Sequence, residues 1–352
     1  MAHAEEEVRA FIDKYNLQFV ETWTAQDLFE TKDPRNFGVI GMSGQKGANK
    51  AVFASDLLVC LGTHLSIPHT TTLTDTYAPN SKKILVNIDE EQIKNLNLKF
   101  DLSINADLKR FLTQVLNSKD LKAKNHCIDV KLKQENWRVS EEKQVNQNDW
   151  NRALTLKAPS KSAFIVDGGG TALYAGFQST VITSSEQRII CSSGMSSMGT
   201  GLAETLGVHF SQNYDQLYCI IGDGSFFMNV QDLHSLKQHN VPVIISVINN
   251  NGYLAIRHTQ SNFQEKRYYG THPEWGLTFP SIKSVASAFE VPYKFVKYKS
   301  EIDKATTELG RFDGPVICEV RVNDEGDTLF SQKYQDNGDG TFTPLGLYDM
   351  AP

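Results

Sequence analysis

Short runs of valine, isoleucine, leucine and cysteine recur along this chain, each about one strand long, with helix-like periodic segments between them. LLVCL at 57–61 and ILVNI at 84–88 form a first block. AFIV at 163–166, LYCII at 217–221, VIISVI at 243–248 and VICEVRV at 316–322 form a second. Unbroken apolar runs suit strands buried on both faces, as in parallel sheets covered by helices on either side. The intervening stretches, for example 229–238 and 280–289, read as the crossover helices. The pattern predicts an α/β chain of two doubly wound parallel-sheet domains. A length of 352 residues fits, because a single core seldom organises so many. The stretch 120–150 is rich in Lys, Glu, Asn and Gln and carries no strand pattern. We read it as a connector between a domain at 1–119 and one at 151–352, the latter ending in a loop or lid around 324–344.

Composition removes several classes of function. The 35 basic and 41 acidic residues give a charge of −6, and neither sign forms a block. The cationic footprint of a nucleic-acid or membrane-surface binder is missing. Five dispersed cysteines without a CxxC support neither a zinc ribbon nor a disulfide framework. The opening residues are acidic and amphipathic, unlike a signal peptide, and no apolar run reaches the ~18 residues of a membrane span. The expectation is a soluble, cytoplasmic protein.

The most informative segment is residues 220–260. One apolar run ends at Gly222-Asp223-Gly224-Ser225, and the next ends at Asn249-Asn250-Asn251-Gly252. Parallel strands end on one sheet edge, where α/β proteins bind ligands, so Asp223 and Asn250 should be neighbours. A carboxylate and an amide oxygen are hard ligands suited to Mg²⁺ or Ca²⁺ and not to zinc. So small a set leaves coordination positions for phosphate oxygens and water. The glycines let backbone N–H groups approach phosphate closely, and a helix following Ser225 would add its positive end.

GDGSF followed at this distance by INNNGY resembles the cofactor motif of thiamine diphosphate (ThDP) enzymes, above all the acetohydroxyacid synthase (acetolactate synthase) group. The resemblance implies that the Asp223 and Asn250 side chains and the Gly252 carbonyl hold Mg²⁺. It implies that Gly222, Gly224 and Ser225 bind the diphosphate, with Tyr253 and Leu254 completing that wall. SGMSSMGTGL at 193–202 is similar to the family's GxMGxGLP stretch, although Ala203 stands where the family carries proline. In the family a large apolar residue there wedges under the cofactor and bends it, bringing its amino group against the reactive thiazolium carbon. Met198 occupies that position, and backbone around Ser196 and Met198 would meet the aminopyrimidine. DGGGT at 167–171 is a looser match, leaving Thr171 and backbone N–H groups to reach the diphosphate. Ile256 and His258, just past the metal loop, become candidates for lining a substrate pocket.

Residues 37–62 and 84–96 resemble the family's central, Rossmann-like domain, which in relatives carries FAD, another nucleotide or nothing. Gly41, Gly44 and Gly47 form GxxGxxG and not GxGxxG, with no acidic ribose reader, so we read them as turn glycines. Family members also possess a pyrimidine-binding domain, whose glutamate activates the cofactor. No acidic residue of this chain matches it. The expectation is therefore a fragment, or a natural subunit completed in trans, with no catalytic residue of its own and weak cofactor binding alone. The parent activity implied is decarboxylation and carboligation of a 2-keto acid, with a keto-sugar acceptor among the options, in a homodimer or homotetramer. The alternatives are a nucleotide-binding scaffold without turnover and, disfavoured by the missing GxGxxG, a dehydrogenase.

Overall fold

The computed structural model describes residues 2–119, 128–129, 131, 136, 143–192, 194–324 and 332–349. Most of the 120–150 connector, Ser193, Cys127 and positions 325–331 of the expected lid lie outside the described residues. The chain divides into two compact units, Met1–Arg138 with Phe330–Pro352, and Val139–Leu329. The last residues thus group with the first unit, whereas the sequence reading carried the second domain to residue 352.

In the first unit, strands β1 (Phe19–Glu21) and β2 (Asn36–Val39) pair in parallel, and β3 (Leu57–Leu61), β4 (Lys82–Asn87) and β5 (Leu102–Asn105) form a second parallel sheet. Helices α1 (Glu5–Tyr15), α2 (Lys46–Ala54), α3 (Ile67–Thr70), α4 (Glu90–Asn95) and α5 (Leu108–Asn117) connect and cover them. Two apolar clusters result. One gathers Ile40, Ala48, Val52, Cys60 and Leu85, and the other Phe11, Tyr15, Val86, Leu108 and Leu112 from α1, β4 and α5.

The second unit is built on strands β6 (Ser162–Val166), β7 (Arg188–Cys191), β8 (Gln216–Gly222), β9 (Val243–Asn249), β10 (Tyr293–Val296) and β11 (Val316–Arg321). Their helices are α6 (Gln147–Leu156), α7 (Gly170–Ser179), α8 (Gly201–Ser211), α9 (Asp223–Met228), α10 (Asp232–Gln238), α11 (Leu254–Phe263), α12 (Ile282–Ala288) and α13 (Ile302–Leu309). All pairs are parallel, in the order β10-β11-β9-β8-β6-β7. Every residue of β6 and β8 is buried, which explains why these strands read as continuous apolar runs. Leu202, Phe226, Leu233 and Leu236 of α8 to α10 join Ile165, Cys219 and Ile245 in one core cluster. At about 1.5–3 kcal/mol per large side chain removed from water, that layer supplies much of the unit's cohesion. Trp150 of α6 is fully buried and its indole N–H donates to Ser246 Oγ on β9 at 3.1 Å.

The strand order places the site. From β6 the chain first adds β7 on one side, then returns to add β8 and β9 on the other. Loops leaving β6 and β8 therefore diverge and open a crevice at the carboxyl edge, the usual ligand position of open α/β sheets. Val166 is opposite Ile220, Gly222 opposite Ile248 and Asn249 opposite Arg321, so the ends of β6, β8, β9 and β11 reach the same edge. Later in the chain, β12 (Tyr334–Asp336) and β13 (Phe342–Pro344) pair as an antiparallel hairpin within the residues grouped with the first unit. Among the described residues no helix is long and apolar enough to cross a membrane.

Candidate functional site

Four loops meet at the crevice: 167–170 after β6, 194–200 before α8, 222–225 at the β8–α9 junction and 249–253 after β9. Helix α9 starts at Asp223, earlier than the sequence suggested, so Asp223, Gly224 and Ser225 form its first turn. Asp223 is 2% exposed. Its Oδ1 accepts from the Gly224 N–H at 2.8 Å, and its Oδ2 accepts from the Gly252 N–H at 3.0 Å. Burial pushes this carboxyl up to about 6, against the lowering pull of the Gly224 and Gly252 amides and the Arg257 charge. A buried carboxyl so held is readily ionised by a nearby cation.

Each asparagine of the 249–251 triplet has its own anchor. Asn249 Nδ2 donates to Glu319 Oε1 at 2.7 Å, while its Oδ1 accepts the Asn251 N–H at 3.0 Å. Asn250 is fully buried and its Nδ2 donates to Thr171 Oγ1 at 2.9 Å, which joins the 249–252 loop to α7. Asn251 Nδ2 donates to both carboxylate oxygens of Asp324 at 3.2 Å. The backbone is left-handed at Asn251 (φ 59°) and Gly252 (φ 139°). A Cβ on Gly252 would collide with the Thr271 carbonyl, so glycine is required there.

The glycines of 167–170 are also occupied space. A Cβ on Gly168 would strike the Ser196 and Ser197 backbone, one on Gly169 would strike Ser225 Oγ, and one on Gly224 the Tyr253 ring. Gly169 also brings Met198 within reach, 3.6 Å from where its Cβ would stand. Asp167, fully buried, ties this loop to α8 by accepting from the Gly169 N–H at 2.9 Å and the Gly201 N–H at 3.1 Å. Within this cradle the Ser225 hydroxyl is 2% exposed and has no hydrogen-bond partner. A buried hydroxyl left unmatched costs about 1–3 kcal/mol, so this one calls for a ligand. Met198 is 37% exposed, an apolar side chain at the rim.

Two domain descriptions match the chain. Residues 1–115 match "Thiamine pyrophosphate enzyme, central domain", and residues 169–320 match "Thiamine pyrophosphate enzyme, C-terminal TPP binding domain". The chain belongs to the thiamine pyrophosphate enzyme family. Among curated relatives it is 28% identical over 329 residues to the acetolactate synthase isozyme 2 large subunit of Escherichia coli, covering 92% of this chain and 58% of that protein. It is 25% identical over 346 residues to the acetolactate synthase of Arthrospira platensis, covering 93% and 57%. With the large subunit of Porphyra purpurea the identity is 25% over 333 residues, covering 90% and 54%. The chain thus spans somewhat more than half the length of these relatives.

The residues present fit the thiamine pyrophosphate of this family. One carboxylate, one amide and a backbone carbonyl are the hard oxygens a Mg²⁺–diphosphate needs. Asp223, Asn250, Gly252 and Thr171 are joined by direct hydrogen bonds, and Gly224, Ser225, Tyr253 and Met198 border the same cradle. Gly222 sits beside Thr171, and Ser196 is left-handed (φ 48°) under Gly168. Leu254 is buried, with 1% exposed. Ile256 and His258 lie on α11, and Ile256 is exposed. Along α11, Ala255 faces Gly170 and Arg257 faces Asn250, and Ile256 and His258 lie about 200° apart around the helix.

Sequence reading gave no role to Arg257, Asp167, Thr271 or Asp324. Only Asp167 carried a usable signal, since it directly follows a buried strand and precedes three glycines. An arginine on a mixed helix such as α11 reads as a solvated residue.

Proposed function

We propose that this chain is the Mg²⁺–ThDP-binding part of an acetolactate synthase-like 2-keto acid decarboxylase or carboligase. The buried Ser225 hydroxyl without a partner, two residues from a doubly anchored Asp223, is the observation that carries this reading. Asp223 and Asn250 side chains with the Gly252 carbonyl would hold Mg²⁺. Ser225, Thr171 and the Gly222 and Gly224 backbone would hold the diphosphate, with Tyr253 and Leu254 behind it. Met198 and the backbone at Ser196 would support the pyrimidine end. Bound ThDP supplies a nucleophilic carbon and an electron sink for 2-keto acid chemistry. The chain's part is binding and orientation.

A pyrimidine-binding domain carrying the activating glutamate completes the site in this reading, in cis or in trans, within a homodimer or homotetramer. The test is CO2 release from pyruvate by the chain mixed with such a domain from a relative, with ThDP and Mg²⁺. Turnover that needs all components and is lost in Asp223→Ala supports the reading. ThDP binding without turnover favours the non-catalytic scaffold, and no binding at all overturns both.

A further inference from the structure

Arg257 is buried, yet it serves no charge partner alone. Its Nη1 donates to the carbonyls of Thr271 at 2.8 Å and Asn251 at 3.3 Å, and its Nη2 donates to the carbonyl of Asn250 at 2.8 Å and to that of Asp324. Four carbonyls from three separate segments thus converge on one guanidinium. Two of them belong to the metal loop itself, at the point where two successive residues adopt positive φ. At a non-glycine residue such as Asn251 this backbone costs about 1–3 kcal/mol and persists only where its surroundings over-determine it. A Cβ on Gly252 would stand 2.8 Å from Arg257 Nη1, so the guanidinium lies directly under the bend. The Asp324 side chain closes the frame, accepting from Asn251 Nδ2 at 3.2 Å and from Arg321 Nη2 at 2.5 Å.

We propose that Arg257, with Asp324, is a positioning residue that holds the 250–252 loop in its cation-ready conformation before any ligand arrives. Only a planar fork with donors on several edges spans four carbonyls, and a lysine offers one point of attachment. This inference rests on reading the site as one for Mg²⁺ and diphosphate. It deepens that reading by assigning the loop's preorganisation to a residue that holds the loop's backbone and reaches Asn250 Oδ1, the proposed cation ligand, at 3.4 Å.

The test uses the full 352-residue chain and two variants, Arg257→Lys and Asp324→Ala. Amide exchange in the metal-free chain and the Mg²⁺ concentration that half-saturates ThDP binding are both measured. For Arg257→Lys the account expects a rise of about 10–100-fold in that Mg²⁺ concentration, the usual effect of losing a group that orients metal ligands. The Gly252 and Tyr253 amides should exchange faster while β6 and β8 amides keep their protection, which a general loss of stability would not produce. Asp324→Ala should give a smaller shift of the same sign, and it decides the matter if the lysine variant does not fold. An unchanged Mg²⁺ midpoint in a folded variant, or faster exchange spread evenly over the unit, overturns the clamp. Absence of Mg²⁺-dependent ThDP binding in the parent chain instead overturns the site reading, and the clamp's function with it.

Discussion

Both units contain a strand that runs through a glycine-bearing loop into a helix, and the two loops end in opposite states. After β2, every loop donor named here is taken by the chain itself. Val39 N–H donates to Gln45 Oε1 at 3.0 Å, Gly41 N–H to Asn49 Oδ1 at 2.9 Å and Gly47 N–H to Asn136 Oδ1 at 2.7 Å. Asn49 returns a bond from Nδ2 to the Gly41 carbonyl at 2.9 Å. At the β8–α9 junction, Asp223 takes two backbone amides but Ser225 Oγ is buried with nothing to bond. A glycine loop whose polar atoms are filled by its own amides is a structural turn. A loop that buries a hydroxyl and leaves it unmatched keeps a hydrogen-bonding position open to a ligand.

Four experiments break or sharpen this contrast. Gly252→Ala should cost most, about 3 kcal/mol or more in urea unfolding, because φ 139° and the Thr271 carbonyl both oppose a Cβ. Full stability in that variant would show the loop to be pliable. Asn49→Ala, which strips two buried bonds from the closed loop, should lower stability by about 2–3 kcal/mol yet leave ThDP affinity unchanged. A change in affinity would mean the first loop is not merely structural. Burial, and to a lesser degree His64, lowers His69 to about 4, below its ordinary 6.5. The unfolded chain then binds more protons between these values, so stability falls as pH drops from 6.5 towards 4. Replacing His69 with Gln should flatten that part of the profile by about 1–2 kcal/mol, and an unaltered profile would show that His69 ionises freely in the fold. Smallest is Ser225→Ala, which removes the unmatched hydroxyl and so should raise stability by about 1 kcal/mol while weakening ThDP binding about tenfold. The reverse pattern, stability lost and affinity kept, would make Ser225 an ordinary core residue.

The sequence revealed those parts of the molecule whose signal is local. Strands β6, β8 and β9 are wholly or nearly wholly buried and read directly as apolar runs. Strands β5 (LSIN), β7 (RIIC) and β10 (YKFV) were not legible, because partial exposure breaks their apolar pattern. That Asp223 would lie against the 249–252 loop was legible from the 27-residue spacing of Asp223 and Asn250, which one strand–helix–strand unit converts into proximity. Arg257 was not, because its partners at 271 and 324 are backbone carbonyls, and a carbonyl leaves no mark on residue identity.

The central claim is that the crevice at the β6–β8 divergence binds diphosphate through Mg²⁺. Calorimetric titration of ThDP into the chain, with a pyrimidine-binding domain from a relative supplied, tests it most directly. The account predicts a single Mg²⁺-dependent binding event, abolished by chelator and in Asp223→Ala. Absence of heat with Mg²⁺ present, or binding indifferent to both the metal and Asp223, would contradict it.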